Sequence, residues 1–170
     1  MPTYRWVVDT QKLASKVFYF NTSGTAQALV STYDEQLQLG SWPVLRRTNY
    51  TWAQDATANN YISQTQAISD LGQSYAVTKQ TAQTVDQYRN VTQSKLFNYG
   101  NLKTAAKTYN NTYLTGSNYT SRYIFNRLLS STVTDGSNNT LRLARSNIRS
   151  SFVSRRPGGC CSQRRSMRRQ

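Results

Sequence analysis

The chain has 170 residues, with 21 Lys and Arg against 7 Asp and Glu, no histidine, and a formal net charge of +14. That length fits one domain with an appendage, and the charge calls for a polyanionic partner: nucleic acid, an anionic membrane face or an acidic protein. The commonest general base is missing, no phosphate-loop, nucleotide-binding or metal-ligand spacing occurs, and no run of about 18 apolar residues is present to span a membrane, so neither catalysis, a cofactor nor a membrane span is expected.

Residues 1–8 read as extended or irregular; the short alternation at Tyr4–Val8 is the one strand-like pattern. A first helix is expected from Asp9, whose carboxylate can cap exposed N–H groups, with Leu13, Val17 and Phe20 as its apolar line. Asn21-Thr-Ser-Gly breaks it. A second helix is expected over 25–39, where Ala26, Leu29, Val30, Tyr33 and Leu37 fit the i, i+3, i+4, i+7 template and Gly40 follows as a cap. Residues 41–55 form a connector held off the helical path by Pro43. Trp42, Tyr50, Trp52 and the pair Arg46 and Arg47 mix aromatic and basic character there, as surfaces that bind nucleic acid do, although tryptophans in so short a loop more often anchor it to a core.

From 56 to 99, Tyr61, Ile68, Tyr75, Ala82 and Leu96 recur on a seven-residue grid, with Leu71, Val85 and Tyr99 in a second seam. That spacing predicts one long helix, or two nearly collinear ones broken at Gly72. A short helix with Leu102, Ala105, Tyr109 and Tyr113 is expected between Gly100 and Gly116. Ser117 or Asn118 then caps another through Tyr123, Ile124, Phe125, Leu128 and Leu129, and Thr134-Asp-Gly-Ser makes a turn. No internal repeat is evident.

Asn138–Gln170 carries nine arginines, no lysine and no acidic residue. Leu141, Ala144, Ile148 and Phe152 predict an amphipathic helix with Arg142, Arg145 and Arg149 on a neighbouring face. Arg155, Arg156, Arg164 and Arg165 lie in the tail beyond it. Cys160 and Cys161 are adjacent and too few for a zinc site; they read as inert thiols, an intermolecular disulfide or an acylation site. Six Asn-x-Ser/Thr triplets occur, at Asn21, Asn49, Asn90, Asn110, Asn118 and Asn138, as expected by chance in a chain so rich in these residues.

The expected fold is therefore all-α: an elongated bundle of about five or six helices with one long central helix and a basic C-terminal arm. Its divisions are 1–135, the bundle with an N-terminal extension, and 136–170, the arginine-rich helix and tail. Guanidinium groups bind phosphate bidentately, and no base-reading motif is present, so binding to nucleic-acid backbone without sequence preference is expected. The candidate contacts are Arg46, Arg47, Arg142, Arg145, Arg149, Arg155, Arg156, Arg164 and Arg165.

Small size, basic charge, the wealth of Tyr, Asn, Gln, Ser and Thr, and segments such as SNYTSRYIFNRLLSS and LRLARSNIRSSFVSRR make the chain resemble the major capsid proteins of filamentous and rod-shaped archaeal viruses. The resemblance implies an all-α coat subunit in a virion. Such subunits, identical or paralogous, assemble helically around double-stranded DNA. The Pro-Gly-Gly-Cys-Cys ending departs from that pattern. Three other readings remain open: a rod-shaped RNA-virus coat protein, a basic scaffold or linker organising acidic subunits as in phototroph antennae, and a peripheral membrane protein with an acylated tail.

Overall fold

Threonine, tyrosine and valine favour a pleated, half-buried surface, and asparagine and serine compete with helical hydrogen bonding; the chain is built largely from such residues. A computed structural model describes residues 3–9, 14–37 and 43–146. In chain order the elements are β1 (Tyr4–Asp9), β2 (Ala14–Phe20), β3 (Val30–Leu37), β4 (Val44–Gln54), β5 (Asn60–Ser69), β6 (Val77–Val85), β7 (Val91–Asn98), β8 (Asn101–Tyr113), the single-turn helix α1 (Ser117–Thr120), β9 (Leu128–Asp135) and β10 (Thr140–Arg145). All ten strands lie in one sheet in sequence order, each antiparallel to its chain neighbours.

The all-α expectation is overturned throughout. The first helix is replaced by β1 and β2, the second by a turn and β3, and the connector by the eleven-residue β4. The heptad segment is β5, β6 and β7. The expected helix from Ser117 stops after one turn, and Tyr123 adopts φ +58° before β9 begins. The arginine helix is, as far as Arg145, the strand β10. Leu13, Leu39, Gly40, Trp42, Ile148, Phe152, Cys160 and Cys161 lie outside the described residues. The strand-like reading of Tyr4–Val8 corresponds to β1.

Three hairpins close on the same five-residue device, Asp-x-x-x-Asn, at Asp55–Asn59, Asp86–Asn90 and Asp135–Asn139. In each, the fourth residue (Ala58, Arg89, Asn138) takes a left-handed φ of +62° to +66° and donates its N–H to the aspartate carbonyl at 3.0 Å. The aspartate side chain accepts the N–H groups of the third and fifth residues at 2.8–2.9 Å. The closing asparagine donates its side-chain amide back to the carboxylate. The carboxylate thus satisfies backbone donors that the turn removes from the ladder. This is a repeat of turns, spaced too irregularly to show as a repeat of sequence.

Among the described residues only Val17 and Leu114 are buried apolar side chains, whereas Ser15, Asp34, Gln80, Asn90 and Ser131 are buried polar ones. Polar pairs across strands supply what a large core would: Thr32 to Asn49, Gln66 to Gln80, Gln93 to Asn110 and Ser131 to Asn111, at 2.7–3.2 Å. Each such cross-strand pair contributes roughly 0.2–1 kcal/mol.

Candidate nucleic-acid interface

Directly opposed residues in antiparallel strands share a face, so the registers sort the side chains of the sheet. One face holds the row Trp6, Val17, Asp34, Arg47, Ile68 and Thr78, with Ser15 and Gln80 in flanking rows. Four buried residues, Ser15, Val17, Asp34 and Gln80, belong to it. We call it the Val17 face.

The opposite, Lys16 face carries two adjacent rows: Val7, Lys16, Glu35, Arg46, Ser69, Val77; and Arg5, Phe18, Tyr33, Thr48, Ala67, Lys79. A third row brings Tyr50, Thr65, Thr81, Leu96 and Lys107. Arg5, Lys16, Arg46, Lys79 and Lys107 are all exposed. Four of them fall on β2, β4, β6 and β8, every second strand, so successive cations are roughly 10 Å apart across the sheet.

Aromatic rings lie between these cations. Phe18 and Tyr33 pack at 4.9 Å between centroids, the Lys16 ammonium sits 5.8 Å above the Tyr33 ring, and Lys79 sits 5.9 Å above Tyr99. The Tyr33 side chain, first among several influences, holds the Lys16 ammonium above its ordinary pKa, so it is charged throughout the neutral range. Asp135, directly opposite Lys107, and Asp9, at the end of β1, share this face, and Glu35 is the carboxylate between Lys16 and Arg46. It accepts the Tyr33 hydroxyl at 3.0 Å and meets Arg46 only at 4.0 Å, which leaves most of the Arg46 fork available.

The arginine candidates separate. Arg46 belongs to the cationic face. Arg47, its chain neighbour, is on the other one, where Nε and Nη2 clamp Asp34 at 2.8 and 2.7 Å. Its fork is spent on a structural pair. Arg142 and Arg145 are exposed on the edge strand β10, and Arg142, opposite Thr132, is on the Val17 face. Arg149, Arg155, Arg156, Arg164 and Arg165 lie outside the described residues.

Comparison with known proteins found no matching family model, no similar curated protein and no similar solved structure. The all-α fold that the capsid resemblance implied is not the fold of this chain. Functional inference therefore rests on the sheet itself.

Arg5, Lys16, Lys79 and Lys107 escaped sequence reasoning because they are scattered along the chain; only a two-residue period combined with the hairpin registers collects them. Of the connector residues, Trp52 is an anchor: its indole N–H donates to the Val30 carbonyl at 2.7 Å. Among the described residues no three His, Cys, Asp or Glu side chains converge into a group that could hold a metal ion, and no helix is long and apolar enough to cross a membrane.

Proposed function

We propose that the chain is a structural nucleic-acid-binding protein, a coat subunit of a nucleoprotein, that grips the phosphate backbone without sequence preference through its Lys16 face. The observation that carries this reading is the set of five exposed cations on one face, four of them on every second strand from β2 to β8, with Glu35 meeting Arg46 only loosely. Arg149 to Arg169 in the basic arm extend the same chemistry. Each phosphate neutralised releases condensed counterions, so affinity falls steeply with salt. Backbone binding asks only for regularly placed positive charge, and a broad sheet supplies it.

The test is a titration of double- and single-stranded DNA and RNA against the full chain at several salt concentrations, repeated with Arg46→Gln, Lys79→Gln and Lys107→Gln combined. The triple variant should keep its strand content and bind every sequence more weakly, with the slope of log affinity against log salt reduced by roughly 2–3. Absence of binding at low salt would overturn the reading. So would an unchanged slope in the variant, or a preference for acidic protein over every nucleic acid.

A further inference from the structure

β1 is an edge strand, and among the described residues no strand pairs with its outer side. The Phe20 N–H donates to the Thr3 carbonyl at 2.8 Å, and Thr3 lies opposite Phe20 in the register that pairs Tyr4 with Tyr19. Odd-numbered residues of β1 therefore turn their backbone groups toward β2, and Tyr4, Trp6 and Val8 turn theirs away from the sheet. All six residues are exposed, Trp6 and Val7 by 50% and 57%. Their register is unbroken from Tyr4 to Asp9, with no proline or bulge, and the two charged residues, Arg5 and Asp9, are of opposite sign. The other edge differs: β10 carries a register shift between Arg142 and Ala144, and its two charges are of like sign.

We infer that β1 is a dimerisation strand, pairing antiparallel with β1 of a second copy about a two-fold axis normal to the sheet. The sequence of the strand favours itself as partner. Trp6 opposite Val8 of the second copy brings the outward-facing backbone groups into register, and sets Val7 against Val7. The same register sets Arg5 opposite Asp9 of the second copy, twice over, because the contact is isologous. The alternative register, Trp6 on Trp6, sets Arg5 against Val7 and pairs no charges. Arg5 and Asp9 both belong to the Lys16 face, so the pairing is between groups on one side of the joint sheet. Asp9 and Trp6 also have interactions within their own chain, which the pairing supplements. The dimer would join two Lys16 faces into one continuous surface. This inference stands apart from the nucleic-acid reading, since its evidence is the edge geometry alone.

The test is sedimentation equilibrium of the full chain, free of nucleic acid and in reductant so that Cys160 and Cys161 cannot link copies. Wild type should show a concentration-dependent monomer–dimer equilibrium. Val8→Pro removes only an outward N–H and should weaken dimerisation by about tenfold or more, with the circular dichroism of the sheet retained. Arg5→Asp should weaken it as well, and Arg5→Asp with Asp9→Arg should restore it. A monomer at all concentrations would overturn the inference. Assembly that runs past the dimer would too, because β1 on β10 makes an open chain. If Val8→Pro fails to fold, the charge swap decides: no loss in the single variant, or no recovery in the double, sinks the proposal.

Discussion

Arg47 holds Asp34 through two parallel hydrogen bonds, and Asp34 is completely buried while about a third of the Arg47 side chain remains exposed. An aspartate with no solvent contact in a sheet with so small a core is stable only because that fork meets it. The hydrogen bonds to Asp34, more than their mutual attraction, hold the guanidinium charged against the cost of burial. Arg47→Met should cost about 2–4 kcal/mol, below the full range for a wholly buried pair because Arg47 is partly solvated. Replacing both, Asp34→Val with Arg47→Met, should recover most of the loss. Denaturant melts of Arg47→Met, Asp34→Val and the double variant decide it; additive losses would mean that the pair is not coupled.

The neighbouring arginine should behave in the opposite way. Arg46 meets Glu35 at 4.0 Å and is exposed, so Arg46→Gln should leave the unfolding free energy within about 0.5 kcal/mol of wild type. Its cost should appear in nucleic-acid binding, as a salt slope flatter by roughly 0.9. Measured together, Arg46 and Arg47 separate a surface cation from a structural one at adjacent positions.

That distinction was invisible in the sequence, where Arg46 and Arg47 form a single basic pair. What was legible was punctuation: the breaks at Asn21-Thr-Ser-Gly and Gly100 fall between strands, and the turn at Thr134-Asp-Gly-Ser begins in the last two residues of β9 and leads into β10. Periodicity failed for a physical reason. Most strands have polar residues on both faces, so no apolar alternation betrays the two-residue period. Tyr61 and Ile68, a heptad apart, fit one helical seam equally well; in β5 the extra residue Ser63, bulged against Thr51 and Trp52, returns Tyr61, opposite Ala53, and Ile68, opposite Arg47, to one face of the sheet, so a seven-residue spacing mimics a helix there. With both periods weak, β-branched and aromatic content was the better guide, together with the Asp-x-x-x-Asn turns.

The basic arm and the sheet are separable in principle. A chain ending at Ser146 retains every strand described here and loses Arg149, Arg155, Arg156, Arg164, Arg165, Arg168 and Arg169. Its circular dichroism should keep the signal of the sheet, and its salt slope on double-stranded DNA should fall by up to about 6, the contribution of seven phosphate contacts. The slope that remains belongs to the sheet. If nothing remains, the Lys16 face is not an interface and the arm does all the binding.

The aspartate turns give the fold a definite acid limit. Although desolvation works against it, Asp55 is drawn down to about 2 by the backbone N–H of Asn59 and by the further donors of Thr57 and Asn59. Asp135 is lowered in the same direction, first by the Asn139 side chain and then by its backbone N–H. In the unfolded chain an aspartate titrates near 3.9. Both groups are ionised in folded and unfolded states above about pH 5, so their contribution is fully present there. As the pH falls from about 4 toward 2 the unfolded chain takes up protons first, and the contribution is lost. The melting temperature should therefore be flat from pH 7 to 5 and fall below pH 4. Asp55→Asn with Asp135→Asn should melt lower at neutral pH, because a neutral amide is a weaker acceptor for the turn N–H groups, and should show a shallower acid fall. Thermal melts of both proteins across pH 2–7 measure this; parallel curves at every pH would show that the turns do not set the acid limit.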